Sequence, residues 1–172
     1  MKAAAIIIDL KDSRKLEAEK RLEAQEKFAE AVDYFLNPVF KKELAARLRF
    51  SAGDSVQGVF KNPGDAINCY LMARALLYPL EIRCGVGAGE VIGLELFQDT
   101  NRLDGQAYHN AAKALELCRE EDLGILFVSG NNNDPLINQY FSNARHIEAM
   151  QSSKRKVLTN TIFLFDPIAQ PA

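Results

Sequence analysis

The segment LEIRCGVGAG, residues 80–89, constrains the fold more than any other part of this chain. Read as a strand, it places Ile82, Cys84, Val86 and Ala88 on one face and Gly85, Gly87 and Gly89 on the other. Glycines inside a strand cost stability, so a face this bare marks a place where a ligand or another backbone must come close. A dinucleotide-binding turn is excluded, because the glycine spacing is wrong and no helical pattern begins directly after it.

Around that strand the apolar pattern switches repeatedly between the strand and helix periods. Residues 3–10 form a short apolar run that reads as a buried strand. A charged helix follows, with apolar positions at Leu22, Ala29, Val32 and Phe35, and Asn37 with Pro38 interrupts it. Residues 48–53 and 55–60 read as a hairpin with Gly53 and Asp54 at its tip. Asn62 and Pro63 then start a helix carrying Ile67, Tyr70, Leu71, Arg74 and Leu77, which ends before Pro79. Beyond the glycine strand, Asp104 is placed to cap a helix whose buried stripe is Tyr108, Ala111, Ala112, Leu115 and Cys118. Residues 123–128 supply another strand, and Asp134 with Pro135 opens a helix through Ile137, Tyr140, Phe141, Ala144 and Ile147.

The resulting order, βαββαβαβα, contains the βαββαβ arrangement of a ferredoxin-like α+β sheet, with an additional helix and strand. Composition drifts after Asn131, which divides the chain into residues 1–130 and an extension, 131–172, packed on the same domain as a helix or a helix and strand. From Gln151 onward, SSKRKVLTNTIFLFDP reads equally as a capped helix from Ser153 or as a final strand through Phe165.

At 172 residues, 48% hydrophobic and 26% charged, the chain has the composition of one ordinary soluble domain with a full core. A net charge of −2 offers no broad attraction to nucleic acid, and the Lys154, Arg155, Lys156 cluster reads as a solvated surface. No apolar run approaches the roughly 20 residues that span a bilayer, and MKAAAIIIDLKD lacks the features of a signal peptide. Cys69, Cys84 and Cys118 are widely spaced in apolar surroundings, which suits a reduced, cytoplasmic setting better than zinc or disulfides.

Two carboxylates carry the chemical signal. Asp9 ends the first strand in IIIDLKDSR, and Asp54 sits at the hairpin tip in FSAGDSVQGVF. In a ferredoxin-like sheet the first strand and the hairpin are neighbours, so the two can meet. A hard cation such as Mg²⁺ or Mn²⁺ takes one or two carboxylates together with the phosphates of a nucleotide. Each residue also has a structural explanation, Asp9 as a helix cap and Asp54 as a turn residue.

Four segments in order, IIIDLKDSR, SAGDSVQGVF, IRCGVGAGEV and DGQAYHNAAKAL, resemble the class III nucleotidyl cyclase catalytic fold over residues 3–129. GDSVQGVF, LYPLEIRCGVGAGE and DGQAYHNAAKAL resemble more closely still the SatD family, which shares that motif order. The resemblance implies that Asp9 and Asp54 hold Mg²⁺ or Mn²⁺ and that Gly53 belongs to the same hairpin site. It implies also that the segment Lys11, Asp12, Ser13, Arg14 cradles nucleotide phosphate with its backbone amides, with Arg14 adding a cationic donor. Asp12 and Ser13 serve equally as a helix N-cap. Cyclase sites form across a head-to-tail homodimer, the carboxylates from one chain and the helix residues from the other, which implies a homodimer here.

Aligned on Gly105, the helix motif puts His109 where cyclases carry a catalytic asparagine and Lys113 where they carry a transition-state arginine. Asn110 is one residue out of register. Lysine retains the charge but loses the guanidinium fork. His109 is of a residue type that can serve as a general base, although a lone histidine beside a buried stripe is more often structural. Phe50 occupies the position at which cyclases select the base, and its own pattern with Leu48 and Ala52 is that of a core residue. Arg83 occupies a place in the glycine strand where it serves either the site or merely as aliphatic cover. The expectation is a metal and nucleotide binder with altered or degenerate phosphoryl-transfer activity. The alternative is a noncatalytic regulatory or assembly protein that keeps the fold.

Overall fold

The computed structural model describes residues 2–51, 54–96 and 99–151. Its centre is β1 (Lys2–Leu10) in a five-stranded sheet ordered β2-β3-β1-β4-β5. The other strands are β2 (Leu44–Phe50), β3 (Ser55–Phe60), β4 (Ile82–Glu90) and β5 (Ile125–Val128). The first four pair antiparallel in ferredoxin-like order, and β5 joins β4 in parallel. β1 has neighbours on both edges and helices over both faces, which is why its sequence is an almost continuous apolar run.

The two faces differ in side-chain size. One receives α1 (Ala18–Glu30) and α3 (Pro63–Leu77) over Ile6, Ile8, Val56, Phe60 and Val86, with Ile137 and Phe141 of α5 (Asp134–Ala149) at its margin. Each large side chain fully buried here contributes roughly 1.5–3 kcal/mol. The other face is closed by α4 (Gln106–Glu120) over Ala3, Ala5 and Val59. There the glycines of β4 let helix and strand meet backbone to backbone. A Cβ on Gly85 would lie 2.1 Å from the Ala111 carbonyl oxygen, and one on Gly87 would lie 2.2 Å from that of Ala107. The bare face thus accommodates a helix of the same chain.

Five local expectations are corrected. In the first helix, Leu22 and Phe35 are exposed, and the buried stripe is Ala24, Phe28, Ala31, Val32 and Leu36. The helix passes into a π-helical stretch, Ala31–Leu36, in which Val32 and Leu36 continue the four-residue spacing of Ala24 and Phe28. Asn37 and Pro38 do not end it, because α2 (Asn37–Val39) continues directly. Asn37 is instead buried, donating to the Leu48 carbonyl and accepting from the Leu48 amide, both at 3.0 Å, so its side chain serves as an extra strand partner for β2.

The hairpin strand β2 begins earlier than residue 48, at Leu44. At α4 the N-cap is Gly105, with φ 124°, and not Asp104, whose carboxylate accepts from the Gly105 amide at 2.7 Å. A side chain at residue 105 would press on the Glu90 carbonyl at 2.5 Å, so the tight entry to the helix requires glycine. Along α4, Ala112 is exposed, and Ala107 and Ala114 join the buried stripe. Both readings of the tail after Gln151 lie outside the described residues.

Candidate functional site

Antiparallel pairing brings the two predicted carboxylates to one end of the sheet. Asp9 is the register partner of Ser55, so Asp54 lies one residue beyond that pair, in the bend that opens β3. Directly opposed residues have Cβ atoms about 4.5–5.5 Å apart, which is the spacing of Asp9 and Ser55, with Asp54 one residue further along the chain. Alternation along β1 sends Leu10 to the large-residue core and Asp9 to the face covered by α4. Asp9 is 8% exposed, and Asp54 is half-buried. Gly53 lies outside the described residues.

Immediately after β1 the chain turns sharply. Asp12 takes a left-handed conformation, φ 56° and ψ 21°, and a 3₁₀ turn follows at Ser13–Lys15. Left-handed then right-handed residues in succession turn consecutive amides toward one concavity, the geometry of an anion-binding nest. Asp12 stands at the N-cap position of this turn, but its side chain makes no capping hydrogen bond and pairs with Lys15 at 3.1 Å. Ser13 is buried and Arg14 exposed.

Lys11 is engaged in ion pairs with two carboxylates. Its ammonium lies 2.9 Å from Glu81 and 2.9 Å from Asp122, and those bonds, Glu81's foremost, raise its pKa above the ordinary 10.5. Asp122 also receives Arg83 at 3.1 Å and Arg145 at 3.8 Å. Hydrogen bonds from Lys11 and then Arg83 hold its carboxyl below the ordinary 3.8. Arg83 stands directly across the ladder from Asp9, and its Nε is buried without a hydrogen-bond partner.

The principal residue that sequence reasoning missed is Arg119. From the last turn of α4 its guanidinium reaches Oδ2 of Asp9 through Nη2 at 2.6 Å and Nε at 3.2 Å. A signal for it exists in the sequence: Ala111, Leu115 and Arg119 are spaced by four, so Arg119 continues the stripe that lies on the sheet. Asp122, in a left-handed conformation with φ 52° just past the helix, carried no such signal.

His109 and Lys113 are not brought to these carboxylates within one chain. Along α4 they stand about 15 Å and about 9 Å from Arg119 by helical rise. Both are exposed, and His109 lies 3.4 Å from Asp104 across largely open side chains. Asn110 is a tie within the fold, donating to the Ala88 carbonyl at 2.9 Å and accepting from Gln106 at 2.9 Å. Phe50 packs edge-on against Phe28 at a centroid separation of 5.3 Å, the core role that its pattern indicated. All three thiols are free and buried, and burial pushes Cys118 up to about 12. His146 is exposed on α5, its Nδ1 2.7 Å from the Ser142 carbonyl oxygen.

The SatD family pattern matches residues 3–168, nearly the whole chain. The chain belongs to the SatD family. Two solved structures of a bacterial light-regulated adenylyl cyclase superpose on this SatD protein with TM-scores of 0.51 and 0.52, each at 16% identity and over 74% of its length. The likeness establishes a cyclase-like fold for the SatD chain, which spans 43% of those cyclase chains. No curated protein matches it. Among its described residues no helix is long and apolar enough to cross a membrane.

Proposed function

We propose that the Asp9–Asp54 end of the sheet binds Mg²⁺ or Mn²⁺ together with the phosphates of a nucleotide. The observation that carries this reading is the Asp9–Ser55 register, which sets both carboxylates at neighbouring strand ends beside the turn at Asp12. Among the described residues no group of three or more His, Cys, Asp or Glu side chains is placed to hold a metal ion. Two carboxylates completed by phosphate and water are nevertheless the usual donor set for Mg²⁺, so the residues fit the ion in kind. A bound cation would supply charge neutralisation for phosphate oxygens. Asp9 and Asp54 would hold it, the amides of residues 12–14 would donate to phosphate, and Arg14 would add a charged donor from the rim.

Turnover is a separate matter. His109 and Lys113 belong to the same site only if a second chain presents its α4 to the carboxylates of the first, so catalysis by these groups requires a head-to-tail homodimer. The exposed setting of both side chains permits it. Lys113 would then stabilise developing phosphate charge as a point cation, and His109 would serve as the base. The second reading, a nucleotide-binding regulator without turnover, draws on the same distance and on His109 and Lys113 standing where cyclases carry asparagine and arginine. The three buried thiols suit a reducing, cytoplasmic location under either reading.

Purified protein incubated with Mg²⁺ or Mn²⁺ and each nucleoside triphosphate, followed for binding and by mass spectrometry for products, tests both. Metal-dependent binding that disappears in Asp54→Ala supports the site. Product in the wild type, absent in Asp54→Ala and Lys113→Ala separately but restored on mixing the two, establishes the shared dimeric centre. Binding without product leaves the regulatory reading, and a folded protein with no metal-dependent binding refutes the proposal.

A further inference from the structure

We propose that Arg119 is a built-in counter-ion that competes with the divalent cation for Asp9, so that cation binding requires the guanidinium to leave. The inference rests on the metal reading of Asp9 and Asp54 and adds its regulation. Asp9 has a side chain only 11% exposed, and a carboxylate so enclosed needs a compensating charge. Arg119 supplies it through two bonds to the same oxygen, at 2.6 and 3.2 Å. Lys11 and Arg83 are committed elsewhere, Lys11 to Glu81 and Asp122 and Arg83 to Asp122. Arg119 and Asp9 therefore form a separate one-to-one pair beside that cluster.

The two partners differ in freedom. Asp9 is fixed in the central strand, whereas Arg119 is 51% exposed and projects from the last turn of α4. Its side chain can swing into water without any movement of the helix. A cation arriving alone must displace it. A cation arriving with a nucleotide offers the released guanidinium a phosphate to pair with, for which its planar fork is suited. The resting protein is thus charge-balanced without metal, and nucleotide favours loading of the cation.

The test is Mn²⁺ binding to the full chain, measured by electron paramagnetic resonance without nucleotide, for wild type, Arg119→Gln and Arg119→Gln/Asp9→Asn. Loss of a charge-assisted pair corresponds to an affinity gain of about tenfold or more in Arg119→Gln. That gain should vanish in the double variant. Equal Mn²⁺ affinity in wild type and Arg119→Gln, with binding still abolished by Asp54→Ala, overturns the competition while leaving the metal site standing. Absence of Mn²⁺ binding in both folded proteins overturns the competition and the site together. Should Arg119→Gln fold poorly, Arg119→Lys keeps the charge without the fork and should bind Mn²⁺ more tightly than wild type by a smaller factor. An unchanged affinity there counts against the proposal in the same way.

Discussion

At its C-terminal end α4 holds a charged side chain against the enclosed carboxylate of Asp9, whereas His109 in its N-terminal half and Lys113 at its middle face solvent. The two ends share a helix and a glycine-lined seam, yet one is electrostatically closed and the other open. A helix seated on a sheet can complete a site beneath one end while offering groups to a neighbouring molecule at the other. Proximity along a sequence motif therefore says little about which of its residues act on the same ligand.

The seam itself gives the largest expected effect. Gly87→Val would drive a side chain into the Ala107 carbonyl and the Ala111 amide, both at 2.2 Å from the new Cβ. Backbone cannot yield as a flexible side chain does, so a loss of at least about 3 kcal/mol is expected in urea denaturation. A stability within about 0.5 kcal/mol of wild type would show that α4 is not locked to β4, and the contrast between its ends would lose its basis.

Next comes an asymmetry within the closed end. Arg119→Ala leaves the carboxylate of Asp9 enclosed without its partner and should cost about 1–2 kcal/mol. Asp9→Asn leaves Arg119 free to turn into water and should cost under about 1 kcal/mol. Equal costs, measured by thermal or denaturant melts, would mean that the pair is an ordinary surface ion pair.

The pH dependence at the same end is smaller. Asp122 has its carboxyl held below 3.8 by Lys11 and Arg83, so its contribution is present above the unfolded-state value and fades as the pH falls through the lowered one. Asp122→Asn should flatten the acid limb of the stability profile below about pH 4 and leave neutral pH little changed, since this carboxylate is solvent-screened. A steeper acid limb in the variant would contradict the assignment. Smallest of all, His109→Ala should alter stability by less than about 0.5 kcal/mol, because the side chain is exposed. A large loss would show that the open end is structural after all.

Much of the fold was legible. The order βαββαβαβα and the Asn62 cap of α3, whose side chain accepts from the Asp65 amide at 3.0 Å, follow from short-range pattern, and the pairing of β1 with the hairpin follows from the ferredoxin-like arrangement which that order contains. What misled was also local. A π-helical stretch shifts the periodicity of the first helix away from Phe35, and Asn37 reads as a breaker because its bonds to Leu48 are made outside its own helix. At the candidate site, the end-of-strand placement of Asp9 and the bend at Asp54 were readable. The commitment of Lys11 to Asp122 was not, since the two are 111 residues apart.

Alternation alone indicated that residues 80–89 form a strand with one bare face, and that some backbone or ligand must lie against it. Tertiary structure decided that the occupant is α4. It decided also that the first metal-type carboxylate has an arginine partner 110 residues away. The difference is physical: strand and helix periods are set by neighbours a few residues apart, while the charge that balances a buried carboxylate is chosen only when distant segments pack.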